Sequence, residues 1–343
     1  MIRRLTQLAG VAALSLAATS AFADIKLNDN FSVGGYVVGS ANYIEYKPKT
    51  GAKDSTSHLD GDAYKFWTNV TFAPVTGTLS YYAGSDGKPV VLDAYATYDA
   101  GSGIKISFGK FLSWLGYEAF DPINMTQITY GWATPQAFPG SYGLSVANIP
   151  GYHSGVKIEQ GNDAYTVGVA VLDSVDTPAG STLKGDGDLK NGPGVEAYFT
   201  YKGVKNLTIF LGGYLENDTY VDDKKTSLDL WAQYVLGDTT FAAEVSTRKD
   251  DYAAGSSDLT SNFWLLEVQQ ALSKTWAMTA RISGVNTKTQ NVSAKPSGTT
   301  FTIAPAVTLT SNLSVVFEYS YTKYKNIPLD KGNFVAVQAR FKF

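Results

Sequence analysis

The sequence predicts an all-β chain: a transmembrane antiparallel up-and-down β-barrel of about 16 strands. Three observations carry that expectation. Apolar and polar residues alternate with a period of two, strand-favouring and turn-favouring residues are abundant, and the links between segments sort into short and long. Among 343 residues there are 22 Tyr, 17 Phe, 6 Trp and 33 Gly, while charged residues make up only 17%. Aromatic and β-branched side chains favour strands, and glycine punctuates turns.

Residues 1–23 are expected to be a secretory signal. Met1-Ile2-Arg3-Arg4 supplies a positive start, LAGVAALSLAATS an apolar run, and Ala21-Phe22-Ala23 an A-x-A cleavage signal. The run is too short and too alanine-rich for a membrane anchor, and the arginines lack the context of a twin-arginine signal. Cleavage leaves 24–343 as the barrel, 343 − 23 = 320 residues, and loss of Arg3 and Arg4 moves the net charge from −3 to −5. That mild acidity argues against nucleic acid as a partner. The absence of cysteine excludes a disulfide-stapled fold and thiol chemistry. Beyond the signal no stretch approaches about 18 consecutive apolar residues, so helical spans are not expected.

Sixteen amphipathic segments follow, over 31–46, 62–75, 77–84, 90–99, 102–111, 152–160, 163–172, 194–202, 206–216, 226–237, 239–248, 261–272, 275–284, 299–309, 312–324 and 332–343. The first has blurred facing, because adjacent apolar and glycine residues interrupt its period. TFAAEVSTRK sets Phe241, Ala243 and Val245 against Ala242, Glu244, Ser246 and Arg248. SLDLWAQYVL sets Leu228, Leu230 and Tyr234 against Asp229, Trp231 and Gln233, and NLSVVFEYSYTK repeats the pattern around Phe317 and Glu318. Pro305 interrupts the segment 299–309 and predicts a bulge there. The last residues, NFVAVQARFKF, alternate through to Phe343.

Tight turns such as Ala100–Gly101 and Gly237–Asp238 alternate with longer links over 47–61, 85–89, 112–151, 173–193, 217–225, 249–260, 285–298 and 325–331. That is the layout of an outer-membrane barrel. A soluble β-rich fold is the alternative, but it would need something to cover an apolar face on nearly every strand. A barrel in lipid covers that face with acyl chains and leaves no unpaired edge. Closure pairs the last segment with the first, which explains an amphipathic strand at the C-terminus. Phe343 also resembles the C-terminal aromatic signature of bacterial outer-membrane proteins, which implies recognition by the barrel-insertion machinery.

Sixteen strands enclose more space than their own side chains fill, so an aqueous channel is expected. The segment 112–151 is the one link long enough to fold inward as a constriction. It carries Glu118 and Asp121, no lysine or arginine, and the aromatic residues Trp114, Tyr117, Phe120, Tyr130 and Trp132, with Phe138 and Tyr142 beyond them. The aromatic rings either line a solute path or pack the loop on the wall, with packing favoured. Inferred lumenal charges are Lys65, Lys105, Lys157, Lys202, Arg248, Arg281, Arg340 and Lys342 against Asp93, Asp99, Glu159, Glu196, Glu216, Asp229, Glu244, Glu267 and Glu318. Candidate constriction residues are Glu118, Asp121, Arg281, Arg340, Glu244 and Glu267; if the acids face the arginines across the opening, a transverse field results.

The stretch GKFLSWLGYEAFDPINMTQITYGWATPQAFPGSYGLSVANIPGYHSGVKI and the opening FSVGGYVVGSANY resemble the porin-2 family of bacterial outer-membrane barrels. The resemblance extends over most of the chain and implies a porin-like channel of the Gram-negative outer membrane, without naming a solute.

Catalytic constellations fail. His153 and Ser154 are adjacent and so face opposite ways on a strand, and His58 is placed in the first loop. Two histidines and no cysteine leave little for a triad or a zinc site. The run GDGDLKNG at Gly185–Gly192 lacks the ligand spacing of a calcium loop. No enzyme, metal or cofactor is expected. The expected function is passive diffusion of small hydrophilic solutes or ions. A substrate-specific channel, for sugars or small organic acids, and a non-conducting structural or adhesive barrel are the alternatives. The expected partners are membrane lipid and lipopolysaccharide, the insertion machinery, the solutes, and further copies of the chain in a homotrimer.

Overall fold

The structure is a computed structural model that describes residues 24–84, 87–133, 148–175, 192–218, 223–252 and 257–343. Residues 1–23, Phe138, Tyr142 and the Gly/Asp run up to Asn191 lie outside the described residues. A two-residue strand, β1 (Ile25–Lys26), precedes β2 (Phe31–Pro48), β3 (Asp54–Phe72), β4 (Val75–Gly84), β5 (Pro89–Gly101), β6 (Ile104–Leu112), β7 (Tyr152–Gly161), β8 (Tyr165–Leu172) and β9 (Gly194–Tyr201). The second half comprises β10 (Leu207–Asp218), β11 (Asp223–Leu236), β12 (Thr239–Asp251), β13 (Leu259–Ala271), β14 (Trp276–Thr289), β15 (Ser297–Thr308), β16 (Leu313–Lys325) and β17 (Leu329–Lys342).

From β2 onward every strand pairs antiparallel with its chain neighbours, and β17 returns to β2 from Gly332↔Tyr46 to Lys342↔Tyr36. The result is a closed barrel of 16 strands, with β1 an extra strand lying on β2 at Val33 and Ser32. Burial is inverted relative to a water-soluble fold. Phe241 is 43% and Leu230 42% exposed, while Glu244 and Arg281 are each 1% exposed. Apolar residues face outward along the wall, and charged residues face inward where other polar groups can meet them. Closure gives each of the 16 strands a paired neighbour on both sides, which lipid could not supply.

The last residue extends the β17–β2 seam by one more pair. The Phe343 N–H donates to the Gly35 carbonyl at 3.0 Å, and the Gly35 N–H donates to the Phe343 carbonyl at 2.9 Å. Gly35 leaves no room for a side chain: a Cβ there would stand 2.5 Å from the Phe343 ring and 2.9 Å from the Lys65 carbonyl oxygen.

The structure differs from the sequence expectation in several places. The loop expected over 47–61 is mostly hairpin, since β2 and β3 stay paired out to Tyr46↔Asp54. His58 therefore lies on β3 opposite Asn42. The links expected over 285–298 and 325–331 likewise shrink to 290–296 and 326–328. Beyond the lipid the apolar alternation stops while backbone pairing continues, so the pattern underestimates strand length. The blurred facing of the first segment resolves as a uniform alternation, with Tyr36, Val38 and Ser40 inward; the bulge lies opposite Val38/Gly39, where Asp62 is skipped. No bulge forms at Pro305. The register toward β16 is the same on both sides, Ile303↔Tyr319 and Ala306↔Val316, and the ladder passes over Ala304 and Pro305. Lys105 and Lys202 share the parity of the inward residues Ser107 and Thr200, as expected, and stand exposed at the short-turn end.

Gly35→Val is expected to lower stability by about 2 kcal/mol or more, because the clash includes backbone that cannot rotate away. Urea unfolding of the detergent-folded protein, followed by tryptophan fluorescence, measures it. An unchanged midpoint contradicts the seam geometry.

Candidate functional site

The segment after β6 leaves the strand ladder and meets the inner wall residue by residue. The Ser113 hydroxyl and Trp114 N–H donate to Glu196 on β9, at 2.9 and 2.8 Å. Gly116 N–H donates to Asp229 on β11 at 2.8 Å, and Tyr117 N–H to Glu244 on β12 at 3.0 Å. Gly116 has φ +101°, a conformation open to glycine, which lets consecutive amides turn toward different strands. Farther on, Ile128 and Thr129 N–H donate to Glu318 on β16 at 2.5 and 3.0 Å. Arg340 on β17 donates to the Met125 and Gln127 carbonyls at 2.5 and 2.7 Å. The wall thus offers acceptors to loop N–H groups and donors to loop carbonyls. Loop backbone buried away from water needs both.

Glu118 and Arg281 form the central ion pair, both almost wholly buried. Arg281 also donates to the Thr129 carbonyl at 2.7 Å and the Thr129 hydroxyl at 3.0 Å. Glu118 accepts from Gln127 at 2.6 Å and from the Gly131 N–H at 2.7 Å. Asp121 accepts from Tyr36 at 3.0 Å and pairs with Lys65 on β3 at 3.0 Å. Lys65 reaches Asp93 at 3.3 Å as well. A 3₁₀ turn at Pro122–Asn124 follows directly on Asp121. After the undescribed stretch, Asn148 donates to Ser246 at 3.1 Å and accepts from Ser227 at 3.0 Å.

The aromatic residues sit against the wall. Trp114 lies 4.6 Å from Tyr198 between ring centroids, and its indole N–H donates to Glu159 at 3.1 Å. Tyr198, Phe210 and Trp231 continue as stacked rings, and Tyr117 closes the run 5.6 Å from Trp231. Phe120 meets Tyr152 edge-on at 5.1 Å, and Tyr130 stands 4.8 Å from Trp132. Trp132 and Tyr117 also pack on Phe263, Leu265 and Val285. Burial, reinforced by nearby carboxylates, pushes the Tyr117 and Tyr130 hydroxyls above the ordinary tyrosine range, so both stay neutral. His153 is buried 3.4 Å from Glu196 and edge-on to Phe111.

All six predicted constriction residues therefore contact this segment or belong to it, but not in two opposed rows. Glu118 is bonded directly to Arg281, and Arg340 is spent on carbonyls, so these charges do not face each other across an opening. Glu244 holds an amide, and Glu267 on β13 meets the segment at Thr126, at 3.4 Å. Glu196, Asp229, Glu318, Lys65 and Tyr36 hold the segment equally. The alternation placed the three acids and Lys65 among the lumenal charges. Nothing in the sequence marks their partners, because most of those partners are main-chain amides.

Arg281→Ala leaves Glu118 buried without its cation, a loss of about 3–5 kcal/mol when one member of such a pair is removed. Limited proteolysis of the folded variant is expected to cut within 113–133. The pair Glu118→Leu with Arg281→Met, which removes both charges, is expected to resist better. Equal resistance of Arg281→Ala and the unaltered protein contradicts the anchoring role.

The model of the family described as putative beta-barrel porin-2, OmpL-like matches residues 70–343. Among solved structures, the outer-membrane channel DcaP of Acinetobacter baumannii is similar at TM-score 0.64 and 14% identity, over 94% of this chain and 100% of that one. OmpT of Vibrio cholerae is similar at TM-score 0.62 and 15% identity, with the same coverage of 94% and 100%. Salmonella typhi OmpF, in complex with daunomycin, is similar at TM-score 0.63 and 12% identity, again over 94% and 100%. No curated protein matches. The chain belongs to the beta-barrel porin-2, OmpL-like family and is an outer-membrane porin of Gram-negative bacteria.

Proposed function

We propose that the protein is a passive diffusion channel for small hydrophilic solutes or ions, narrowed by the segment 112–151. The observation that carries this reading is the path of 113–131, which is hydrogen-bonded to inner-face residues from β9 around through β17 to β3. A segment tied around that arc crosses the interior, and a barrel of 16 strands is otherwise wide enough for an aqueous channel. Selection then comes from sieving and from fixed charges beside the path. In this reading Glu118, Asp121, Arg281, Arg340, Glu244 and Glu267 frame the narrowing. Trp114, Tyr117, Phe120, Tyr130 and Trp132 pack the segment to the wall.

The same reading has residues 1–23 removed on export, and the outer face in contact with lipid and lipopolysaccharide. It takes Phe343 as the feature met by the insertion machinery. OmpT of Vibrio cholerae, similar in fold, has a trimer form, which supports a homotrimer here.

Replacing 116–150 by a short Gly/Ser link is expected to raise single-channel conductance in planar bilayers by about twofold or more, since less of the lumen is filled. Unchanged current refutes the constriction, and no current from either protein refutes the channel.

A further inference from the structure

A cavity of about 280 Å³ lies between the segment Tyr117–Gln127 and the inner faces of β11 and β13. Its polar lining includes Glu267, Glu118, Gln233, Gln269, Asn124 and Gln127, and it contains no lysine or arginine. Gln233 and Gln269 stand near the ends of their strands, so this part of the cavity wall lies toward the short-turn side of the barrel.

Glu267 is 3% exposed, and its two oxygens are treated unequally. Oε1 accepts from Gln269 at 2.7 Å and from Thr126 at 3.4 Å. Oε2 has no hydrogen-bond partner. A buried carboxylate oxygen without a donor is costly, and a ligand that supplies one recovers that energy. The other acid of the cavity is already neutralised, because Glu118 is paired with Arg281. Arg281 also stands opposite Glu267 in the β13–β14 ladder, but its hydrogen bonds go to Glu118, Thr129 and Thr302, so one acceptor oxygen of Glu267 remains without a donor beside carboxamides that both donate and accept.

We propose that this cavity binds a small organic cation, with its ammonium group on Glu267 and its hydroxyl groups on the carboxamides of Gln233, Gln269 and Asn124. The ligand class is an amino sugar or amino alcohol, and the site lies on the path of the diffusion channel proposed above, on which this inference rests. Several features select that class. The cavity has no basic residue to hold an anion, and an apolar ligand would leave the carboxamides unpaired. Among the described residues no group of three or more His, Cys, Asp or Glu side chains is arranged to hold a metal ion. The volume is at the small end for a ligand pocket, which excludes long chains.

The test records single channels in potassium chloride with glucosamine, glucose or glucuronate added. Glucosamine is expected to interrupt the current saturably, at concentrations about tenfold below those needed for glucose, because its contact to Glu267 is charge-assisted. Glucuronate is expected to have no effect. Glu267→Gln is expected to bring glucosamine to the level of glucose. If Glu267→Gln does not fold, Gln233→Leu, which removes a carboxamide assigned to the hydroxyl groups, is expected to weaken glucosamine and glucose alike. Equal interruption by glucosamine and glucose in the unaltered protein, full discrimination retained in Glu267→Gln, or interruption by both sugars unchanged in Gln233→Leu, overturns the site. The open-channel current separates this from the channel itself, since a conducting pore indifferent to glucosamine refutes only the site. Should the protein not conduct, calorimetric titration of the detergent-folded protein with glucosamine and glucose decides the site by the same tenfold criterion.

Discussion

The interior of this barrel is governed by one constraint: buried charges and buried amides must satisfy each other. Closing 16 strands in lipid sends the polar face of each strand inward, and with it Glu196, Asp229, Glu244, Arg281, Glu318 and Arg340. Carboxylates left unpaired under a covering loop would be strongly destabilising, and so would loop amides left without acceptors. Each set meets most of what the other needs, with the Glu267 Oε2 left over. The wall acids receive the N–H groups of residues 114, 116, 117, 128 and 129, and the two arginines hold the carbonyls of residues 125, 127 and 129.

The arrangement depends on a wall that does not yield. Closure supplies it: β17 pairs with β2 over its length, and Phe343 and Gly35 exchange two hydrogen bonds at the seam. The outer face asks little of its residues beyond being apolar, whereas the inner face must place particular oxygens against particular amides. Similarity at 10–16% identity to other outer-membrane barrels accords with that division, since many sequences meet the outer requirement.

The barrel was legible in the sequence because lipid on one side and water on the other impose a period of two that survives in single strands. Phe241, Val245 and Phe317 read outward and Glu244, Arg248 and Glu318 inward, as they stand in the structure. The extents of β2, β3 and β14 were less legible, because pairing continues past the membrane where no apolar face is required. The site was legible in its residue types and opaque in its pairings. Inner-wall acids can be picked out by parity, but a main-chain N–H has no sequence signature. Nothing in the string indicates that Glu318 takes the amides of Ile128 and Thr129, or that Arg281 clasps Thr129 together with Glu118.

The most direct measurement is amide hydrogen exchange on the detergent-folded protein, resolved at Trp114, Gly116, Tyr117, Ile128 and Thr129. Their N–H groups donate to buried carboxylates in this account, so they should exchange as slowly as amides of the adjoining strands despite lying outside any sheet. Exchange at the rate of a solvated loop would show that the wall does not hold the segment.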